Sequence, residues 1–283
     1  MTLRRRRFLC LAGLVAAASA LPRIAVAQSY PSRPVRWIVP FPASGSTDLV
    51  ARLMAEWLAA RLGQPFIIEN KPGGGTNIAV QAAVSAPPDG YTLLFTLTTN
   101  VLNPSLYKSL PFDFQHDIAP VAGLAELPLV IDLNPQLPAR TVTEFIAYAK
   151  ANPCKINFAS FGARTISHLA IELFKISAGI DVVHVPYPGG GPMLTDLISG
   201  RVQAAVDALP NSLPHIKAGV VRALAVLSAA RTPALPDVPT QSARPLPALR
   251  SSHGPPWAFR AAPRPKSSRC STARSTRDLP TLP

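Results

Sequence analysis

The sequence predicts an α/β protein made of two α/β units in series. Short apolar runs of strand length alternate with longer amphipathic runs of helix length, and clusters of Gly, Pro, Asn and Asp separate them. This alternation occupies residues 35–96, is interrupted, and starts again near residue 141. Strands and helices that alternate at this spacing imply parallel pairing through right-handed crossovers. With a hydrophobic content of 48% in 283 residues, the chain can fill the cores of two such units.

The first unit has a distinct signal for each element. An apolar run predicts a strand over 35–39, and an amphipathic run predicts a helix over 49–62 that Gly63 ends. A second strand is predicted over 66–69, and the glycine-rich turn at 72–75 leads into a helix over 77–85. The turn residues at 87–90 then launch a third strand over 91–96, which ends in the polar cluster 98–100.

Two apolar stretches lie between the units, at residues 118–124 and 127–131. Because too few residues separate them for a crossover helix, we predict that they are the strands that carry the chain from one unit to the next. Residues 141–144 (TVTE) form a capping box, which predicts a helix that Pro153 ends.

The second unit repeats the alternation. Strands are predicted over 156–159, 182–185, 204–207 and 223–227, and helices over 167–177, 192–199 and 212–217. In open parallel sheets, ligands bind beyond the carboxyl ends of the strands. Polar loops lie at those ends in both units: residues 42–48 and 98–100 in the first, and residues 160–168 and 187–192, with Asp207, in the second. Two such edges that face each other would form a cleft.

The net charge of +13 is concentrated at the two ends of the chain. Residues 1–28 contain five Arg and no acid, and residues 241–283 contain eight Arg and Lys against one Asp. Residues 29–240 therefore carry a net charge of only +1. A near-neutral body argues against a nucleic-acid-binding face, which would need clustered Lys and Arg.

Residues 1–27 are predicted to be a signal peptide. Four consecutive arginines precede an apolar stretch over residues 8–21, and a small-x-small cleavage site follows at residues 25–27. The segment RRRFL at residues 5–9 also fits a twin-arginine pattern, so export by the general secretory or the twin-arginine route is open. The sequence contains no later segment that is long and apolar enough to be a transmembrane helix. We therefore expect a soluble periplasmic protein.

Residues 40–48 (PFPASGSTD) join a strand to a helix N-terminus. The free N–H groups and the partial positive charge of such a terminus suit an anion. The alternative is that Ser46 merely caps the helix, with Thr47 and Asp48 as favourable residues of its first turn. Residues 160–168 allow the same two interpretations, with Thr165 or Ser167 as the cap. The glycines at 189–191 suit either an anion or close packing of the backbone.

Enzyme signatures are weak throughout the chain. Neither glycine-rich segment, 73–76 or 189–192, supplies the lysine of a phosphate-binding loop, and no nucleophile elbow is present. His168 and Glu172 lie four residues apart on a predicted helix, but they lack a third metal ligand. Asp48 and Asp207 are candidates for a carboxylate pair, but no nucleophile or electrophile accompanies them. We therefore predict no catalytic residues, no metal and no cofactor.

The order of several motifs resembles one known family. Residues 40–48, 70–74 (NKPGG) and 88–93 (PDGYTL) occur in this order in the tripartite tricarboxylate transporter receptor family, whose members are also called Bug proteins. The segments SHL at 167–169, HVPY at 184–187 and PDVPT at 236–240 extend the resemblance over residues 30–240. Members of this family are periplasmic solute-binding proteins that close two α/β lobes around a carboxylate.

The resemblance implies a two-lobe fold of the class II periplasmic-binding-protein type, with a ligand cleft between the lobes. Lobe 1 would comprise residues 28–125, lobe 2 residues 126–228, and a return crossover residues 229–240. The loops at 42–48 and 160–168 would hold a ligand carboxylate from opposite lobes, partly through ordered water, and Asp207 would select for a donor on the ligand. The ligand-binding residues so implied are Phe41, Pro42, Ala43, Ser46, Thr47, Asp48, Thr98, Thr99, Ser160, Gly162, Arg164, Thr165, Ser167, His168, Tyr187 and Asp207.

Two residues depart from the family pattern, because Ser44 and Arg164 stand where these loops commonly have glycine. Ser44 would restrict φ, and Arg164 would either fill the pocket or offer a guanidinium to a second carboxylate. The implied function is a periplasmic receptor, a monomer without catalytic activity, that captures a di- or tricarboxylate or an aromatic acid for membrane transporter subunits. The alternative is an exported α/β enzyme that uses Asp48, His168 or Asp207 as an acid or base.

Residues 241–283 differ in composition from the rest of the chain. They contain eight of the 32 prolines and lack a helical or alternating apolar period. One hypothesis is a disordered basic tail that binds a polyanion or a membrane. The other is a shift of reading frame, because family members continue here into strands and helices that complete lobe 1. The second hypothesis implies that the C-terminal part of lobe 1 is missing and that the product folds poorly or aggregates.

Overall fold

The computed structural model describes residues 30–240. The predicted signal peptide at 1–27 and the Arg/Pro-rich tail at 241–283 lie outside the described residues. Within the described part of the chain, no helix is long and apolar enough to cross a membrane.

The first α/β unit contains a three-stranded parallel sheet in the order β2-β1-β3. The elements are β1 (Val35–Val39), α1 (Ser46–Leu62), β2 (Phe66–Asn70), α2 (Asn77–Val84), β3 (Thr92–Leu94), α3 (Thr98–Leu106) and α4 (Phe114–Asp117), with a 3-10 turn at Gly74–Thr76. The centre of its core is Trp37, whose ring lies 6.5 Å from that of Phe66 and 6.4 Å from that of Phe95. Helix α1 packs against this core with Ala51 and Ala55, small residues that bring the helix close to the sheet.

The second α/β unit contains a five-stranded sheet in the order β6-β5-β7-β4-β8. The elements are β4 (Leu129–Leu133), α5 (Val142–Ala151), β5 (Asn157–Ser160), α6 (Ile166–Ala178), β6 (Val183–Pro186), α7 (Gly190–Ile198), β7 (Ala204–Ala208), α8 (Leu209–Lys217) and β8 (Arg222–Val226). Three mutually packed, fully buried rings form the centre of its core, namely Phe145, Phe158 and Phe174. The α/β class and the two sheets confirm the predicted fold class.

The predicted capping box lies at the start of α5. The Thr141 hydroxyl accepts the N–H of Glu144 at 3.2 Å, and the Glu144 carboxylate accepts the N–H of Arg140 at 2.7 Å. The return bond thus reaches the residue before the cap instead of the cap itself.

Three details of the predicted elements are wrong. Residues 118–128 contain no strand, and Val121 there is 84% exposed, because this apolar run has no strand beside it to pair with. Strand β4 runs antiparallel to both β7 and β8, so the second sheet is mixed and not purely parallel. Helix α3 begins within the polar cluster at residues 98–100, where the sequence predicts only a loop. Its first turn is closed by Asn100, whose Oδ1 accepts the N–H of Leu97 at 2.8 Å.

Residues after β8 pack against the second unit as far as Thr240. The N–H of Val226 donates to the carbonyl of Pro239 at 3.0 Å, and Val226 forms a parallel bridge with Thr240. Leu235 and Val238 contact the small core cluster around Val226. The lobe boundaries and a return crossover over 229–240 stay predictions.

Candidate functional site

A cleft of about 1810 Å³ lies between the two units. Its walls include the loop after β1, the start of α3, the residues before α7 and the end of β7. All four places follow the carboxyl end of a strand, which is where open α/β sheets bind ligands. A small-molecule site needs roughly 300–1,000 Å³. The excess volume arises because the cleft continues along apolar side chains of the first unit, among them Trp37, Met54 and Phe95.

Asp48 holds the loop between β1 and α1 in place. Its Oδ2 accepts the N–H of Ser44 at 2.9 Å and the Nε of Arg52 at 2.8 Å, and its Oδ1 accepts Nδ2 of Asn70 at 2.9 Å. Burial raises the pKa of the Asp48 carboxyl, but the hydrogen bonds from Arg52, Asn70 and Ser44 outweigh this and leave the pKa below its usual value. Asp48 is 2% exposed and serves the loop itself.

The N-cap of α1 is Gly45 and not Ser46, so the capping interpretation of Ser46 is wrong. Ser46 is the first helical residue, and both Ser46 and Thr47 line the cleft. The loop carries its anion-binding potential in the backbone N–H groups of this first turn, which have no partner within the helix.

The two residues that depart from the family pattern both lie at positive φ. Ser44 has φ of 69° and Arg164 has φ of 60°. This left-handed region favours glycine because the Cβ of other residues crowds the backbone there. The expected restriction of φ at Ser44 is therefore a real strain in this chain, and Arg164 carries the same strain.

The loop between β5 and α6 is organised by buried hydroxyls. The Thr165 hydroxyl donates to the carbonyl of Gly162 at 2.7 Å and lies 2.9 Å from the Ser167 hydroxyl. The Ser167 hydroxyl accepts the N–H of Phe161 at 3.2 Å. Thr165 is the N-cap residue of α6, but its side chain forms no bond to a helical N–H, so these hydroxyls shape the loop and do not cap the helix.

Two stacked imidazoles support this loop from behind. The rings of His168 and His184 are 3.9 Å apart and nearly parallel. Nε2 of His184 lies 2.7 Å from the hydroxyl of Ser160, and Nδ1 of His168 accepts the N–H of Arg164 at 3.0 Å. Burial, with a contribution from the ring of His168, lowers the pKa of His184 to about 3, and burial also lowers the pKa of His168. Both rings are therefore neutral near pH 7.

The side chain of Tyr187 points to its own unit. Its hydroxyl donates to Oδ2 of Asp196 at 2.7 Å, and its N–H donates to the carbonyl of Ser160 at 2.9 Å. Burial and the bond to Asp196 raise the pKa of the Tyr187 hydroxyl above its usual value. Tyr187 thus positions the loop after β6 relative to the loop after β5.

Asp207 lies at the carboxyl end of β7, on the cleft wall. Its Oδ1 accepts the N–H of Ala208 at 2.8 Å, and its Oδ2 accepts Nδ2 of Asn211 at 2.7 Å. Gly190 passes so close that a Cβ there would lie 2.9 Å from Oδ1 of Asp207 and would collide with Asn211. Glycine is therefore required at residue 190 to let the start of α7 approach Asp207.

Two contacts between the units lie directly at the cleft. The rings of Phe41 and Phe161 meet edge to face with centroids 5.7 Å apart. The N–H of Ile166, at the start of α6, donates to the hydroxyl of Thr99 at 3.3 Å. Each contact joins one of the predicted binding loops to the opposite unit.

Two further contacts extend this boundary. A Cβ at Gly189 would lie 3.0 Å from Cδ of Pro42, so the loops after β6 and β1 pack backbone to side chain. The guanidinium of Arg164 lies 4.6 Å from the centre of the Tyr107 ring, a cation–π contact. Arg164 thus places its charge against the first unit and does not line the cleft.

Half of the predicted ligand-binding residues line the cleft. These are Phe41, Pro42, Ala43, Ser46, Thr47, Thr98, Thr99 and Asp207. The others stand behind the wall, namely Asp48, Ser160, Gly162, Arg164, Thr165, Ser167, His168 and Tyr187. The structure brings both groups to one boundary between the units, and direct contact of the second group with a ligand stays a prediction.

Several wall residues are not predicted by the sequence. Phe161 and Ile166 are the members of the second loop that reach the cleft, and Asn211 reaches it from α8. Asn70, which braces the first loop through Asp48 and the carbonyl of Phe41, does belong to a motif that carried the resemblance. For Asn211 the available signal is its position one helical turn after Asp207.

The cleft has few charged side chains. Among residues 30–240, Arg231 is the only Lys or Arg on its wall. The same part of the chain contains no group of three or more His, Cys, Asp and Glu that could hold a metal ion. Nε2 of His168 lies 3.9 Å from Oε1 of Glu172, as the spacing of the two residues on a helix predicts.

Comparison with known proteins gives a consistent result. A family model described as the tripartite tricarboxylate transporter family receptor matches residues 50–251. A protein of the UPF0065 group from Bordetella pertussis is 42% identical over 236 residues, which is 83% of this chain and 71% of that protein. Protein BugT of the same organism is 37% identical over 260 residues, which is 91% of this chain and 79% of BugT.

Two solved structures from Rhodopseudomonas palustris share the fold. MatC, determined with bound malate, has a TM-score of 0.73 and 35% identity over 77% of this chain and 74% of its own. Rpa4515, determined with adipate, has a TM-score of 0.74 and 36% identity over 77% of this chain and 73% of its own.

Proposed function

Because the chain belongs to the tripartite tricarboxylate transporter receptor family, we propose that it captures a small organic carboxylate in the cleft and delivers it to membrane transporter subunits. The family consists of solute-binding receptors and not of enzymes. The ligands of the two solved neighbours, malate and adipate, support a small dicarboxylate as the ligand class.

The observation that carries this proposal is the convergence of helix N-termini on one cleft. The first residues of α1, α3, α6 and α7 all lie on its wall: Ser46 and Thr47, Thr98 and Thr99, Ile166, and Gly190 and Gly191. The termini of α1, α3 and α7 each offer backbone N–H groups and about half a positive charge. At α6 the N–H of Ile166 already donates to Thr99, so this terminus contributes mainly its partial charge. With one cationic side chain on the described wall, it is these termini that would hold the anion.

The predicted site residues have two roles in this proposal. Those on the wall contact the ligand, with the first turn of α1 opposite the second unit. Those behind the wall, such as Ser167 and His168, accept N–H groups of the loop between β5 and α6 and so fix the shape of the loop that carries the wall residues Phe161 and Ile166. The hydroxyl and imidazole bonds of that loop support such a positioning role.

The cellular context also belongs to the proposal. Receptors of this family act in the periplasm, and the predicted signal peptide would export this chain there. We propose that the protein works as a monomer, because one chain supplies both faces of the cleft. The export route, secretory or twin-arginine, is part of the same proposal.

Calorimetric titration of the full chain tests the function directly. The panel comprises malate, adipate, citrate, benzoate and glutamate, with each acid recovered and analysed after binding. We expect stoichiometric binding of at least one acid and its recovery unchanged. Recovery of an altered acid would favour the alternative of an exported enzyme, and binding of none would contradict the receptor.

A charge variant tests the convergence of helix N-termini. Ala43 is exposed in the first loop and lines the cleft, so Ala43→Asp places a negative charge beside the proposed anion. Repulsion of about 1.4 kcal/mol would weaken binding roughly tenfold. Ala151 is exposed at the end of α5 and away from the cleft, and Ala151→Asp should leave the affinity unchanged. Equal effects of the two variants would contradict a site at this loop.

A further inference from the structure

Arg164 and Tyr107 face each other across the boundary between the two units. The guanidinium of Arg164, in the loop between β5 and α6, lies 4.6 Å from the centre of the ring of Tyr107, the residue that follows α3. A cation within about 6 Å of the face of an aromatic ring is attracted by the electrons of that ring. The contact therefore holds a loop of the second unit against the first unit.

The first unit presents the Tyr107 ring in one position. The Tyr107 hydroxyl donates to the carbonyl of Gly74 at 2.8 Å, and the Tyr107 N–H donates to the carbonyl of Asn103 at 3.0 Å. A Cβ at Gly75 would lie 2.6 Å from the Tyr107 hydroxyl and 3.4 Å from the carbonyl of Ala163, so the glycine-rich turn packs against both the ring and the opposite loop. The guanidinium thus meets a ring that its own unit already fixes.

The main chain at Arg164 is held by bonds that do not involve the Arg164 side chain. The Arg164 N–H donates to Nδ1 of His168 at 3.0 Å, and the hydroxyl of Thr165 donates to the carbonyl of Gly162 at 2.7 Å. The Arg164 side chain is exposed, so its replacement leaves no hole in a core. Because φ is 60° here, glutamine or lysine at this position has the same backbone strain as arginine. Such a variant changes the contact with Tyr107 alone.

This contact lies outside the cleft. Neither Arg164 nor Tyr107 lines the cleft wall, whereas Phe41 and Phe161, which also meet across the boundary, both line it. A change at those two rings alters the surface that faces a ligand. A change at Arg164 can affect a ligand only through the contact that holds the two units together.

We propose that Arg164 and Tyr107 form a clasp that keeps the two units together over a bound acid and slows its release. Arg164 is then a positioning residue, which acts on the acid through the opposite unit. The clasp replaces the two roles that the sequence suggests for Arg164, filling the pocket and binding a second carboxylate. This inference rests on the proposed carboxylate-binding function, and it adds a residue pair that sets how long the complex lasts.

Stopped-flow kinetics of the full chain with adipate and with malate test the clasp. Trp37 and Trp57 line the cleft, so tryptophan fluorescence is the signal. The strength of an exposed cation–π contact corresponds to a factor of about two to five in a rate constant. We expect the release rate to rise by this factor in Arg164→Gln. The association rate should stay the same, because the clasp forms after the acid has entered.

Three variants serve as controls. Arg164→Lys keeps a positive charge beside the ring and should release the acid at a rate close to that of the wild type. Tyr107→Phe keeps the ring face and should behave in the same way. Arg61→Gln removes a guanidinium 4.9 Å from the ring of Trp57, a contact of the same kind within α1, and should leave the release rate unchanged. An unchanged release rate in Arg164→Gln, or an equal rise in Arg61→Gln, would overturn the clasp.

A double-mutant cycle without ligand tests the contact itself. Urea unfolding of the full chain is compared for Arg164→Gln, Tyr107→Leu and the double variant. Tyr107→Leu also loses the bond to Gly74, but this loss occurs with either residue at position 164 and cancels in the cycle. We expect the two single effects to differ from the combined effect by about two- to fivefold in the equilibrium constant. Additive effects would overturn the clasp.

The two experiments separate this inference from the proposed function. A chain that binds neither acid would count against the receptor function, while the cycle without ligand would still decide whether the clasp exists. A chain that binds an acid and releases it at a rate independent of Arg164 would keep the receptor function and overturn the clasp alone.

Discussion

Replacing Ser44 with glycine should stabilise the protein. Ser44 has φ of 69°, in the left-handed region that costs a residue with a Cβ about 1–2 kcal/mol. Its side chain is exposed and forms no hydrogen bond with another described residue. Its N–H, which donates to Asp48 at 2.9 Å, remains in the variant. The substitution therefore removes strain and no contact.

Part of this stabilisation is lost because glycine gives up more conformational entropy on folding than serine does, which costs about 0.5–1 kcal/mol. The net stabilisation should be about 0.5–1 kcal/mol. For a chain of this size, that free energy raises the midpoint of thermal unfolding by roughly 1–4 °C.

Thermal unfolding of the full chain, followed by circular dichroism, measures this shift. Ala218→Gly is the matched control, because Ala218 is exposed, has φ of −76° at the end of α8 and has no side-chain hydrogen bond to lose. It should lose about 0.5–1 kcal/mol. A Ser44→Gly variant that melts as far below the wild type as Ala218→Gly would refute the claim that this loop is strained.

Three further predictions concern the cleft, the surface and the response to acid. Gly190→Ala should weaken acid binding tenfold or more in calorimetry, because its Cβ would collide with Asn211, whereas Gly191→Ala meets nothing within 4 Å and should bind normally. Leu53 is 58% exposed in α1, so Leu53→Lys should change the midpoint of thermal unfolding little, because the side chain buries little apolar area in a monomer. Asp48, with its lowered pKa, contributes stability above its unfolded pKa that is lost as pH falls through the folded value, so Asp48→Asn should flatten the acid side of the stability profile below about pH 4.

Each of these three predictions has an outcome that would contradict it. Equal affinities of the two alanine variants would show that the close approach at residue 190 is unimportant. A large loss of stability in Leu53→Lys would show that Leu53 is buried against another copy of the chain, which would contradict the proposed monomer. If the wild type and Asp48→Asn lose stability equally as the pH falls, the ionised carboxylate of Asp48 does not stabilise the first loop.

Much of the fold can be predicted from the sequence because the local signals agree with the packing. Strand β1 has the predicted bounds, and the other predicted strands of the two units lie within two residues of the observed ones at each end. The capping box at Thr141 and the glycine after α1, Gly63, identify helix ends through interactions of neighbouring residues. Such signals need no knowledge of the rest of the chain.

The errors arise where distant parts of the chain decide. Residues 118–124 are apolar enough for a strand, but no neighbouring strand is present to receive them among the described residues. The start of α3 depends on Asn100, whose amide also donates to the hydroxyl of Thr76, 24 residues earlier. The antiparallel direction of β4 is seen only in its pairing with β7 and β8, which come much later in the chain.

The candidate site also has parts that the sequence predicts and parts that depend on distant residues. The loops that form the cleft could be named from their composition, but the direction of each side chain could not. Asp48, a candidate for acid–base chemistry, instead holds its own loop through Arg52 and Asn70. Asp132, Ser212 and Asp207 form one buried hydrogen-bonded group although they lie up to 80 positions apart in the chain, and no spacing in the sequence predicts this group.

The contact between Phe41 and Phe161 has a consequence for how affinity is set in this protein. In the lobe closure that the family resemblance implies, their edge-to-face contact would form only while the two units lie against each other, and it would therefore favour closed over open molecules. The apparent dissociation constant equals the intrinsic one divided by the fraction of molecules that can bind. Variation at these two rings would therefore change how much acid is captured at a given concentration through the fraction of closed molecules, in addition to any direct contact of the rings with the acid.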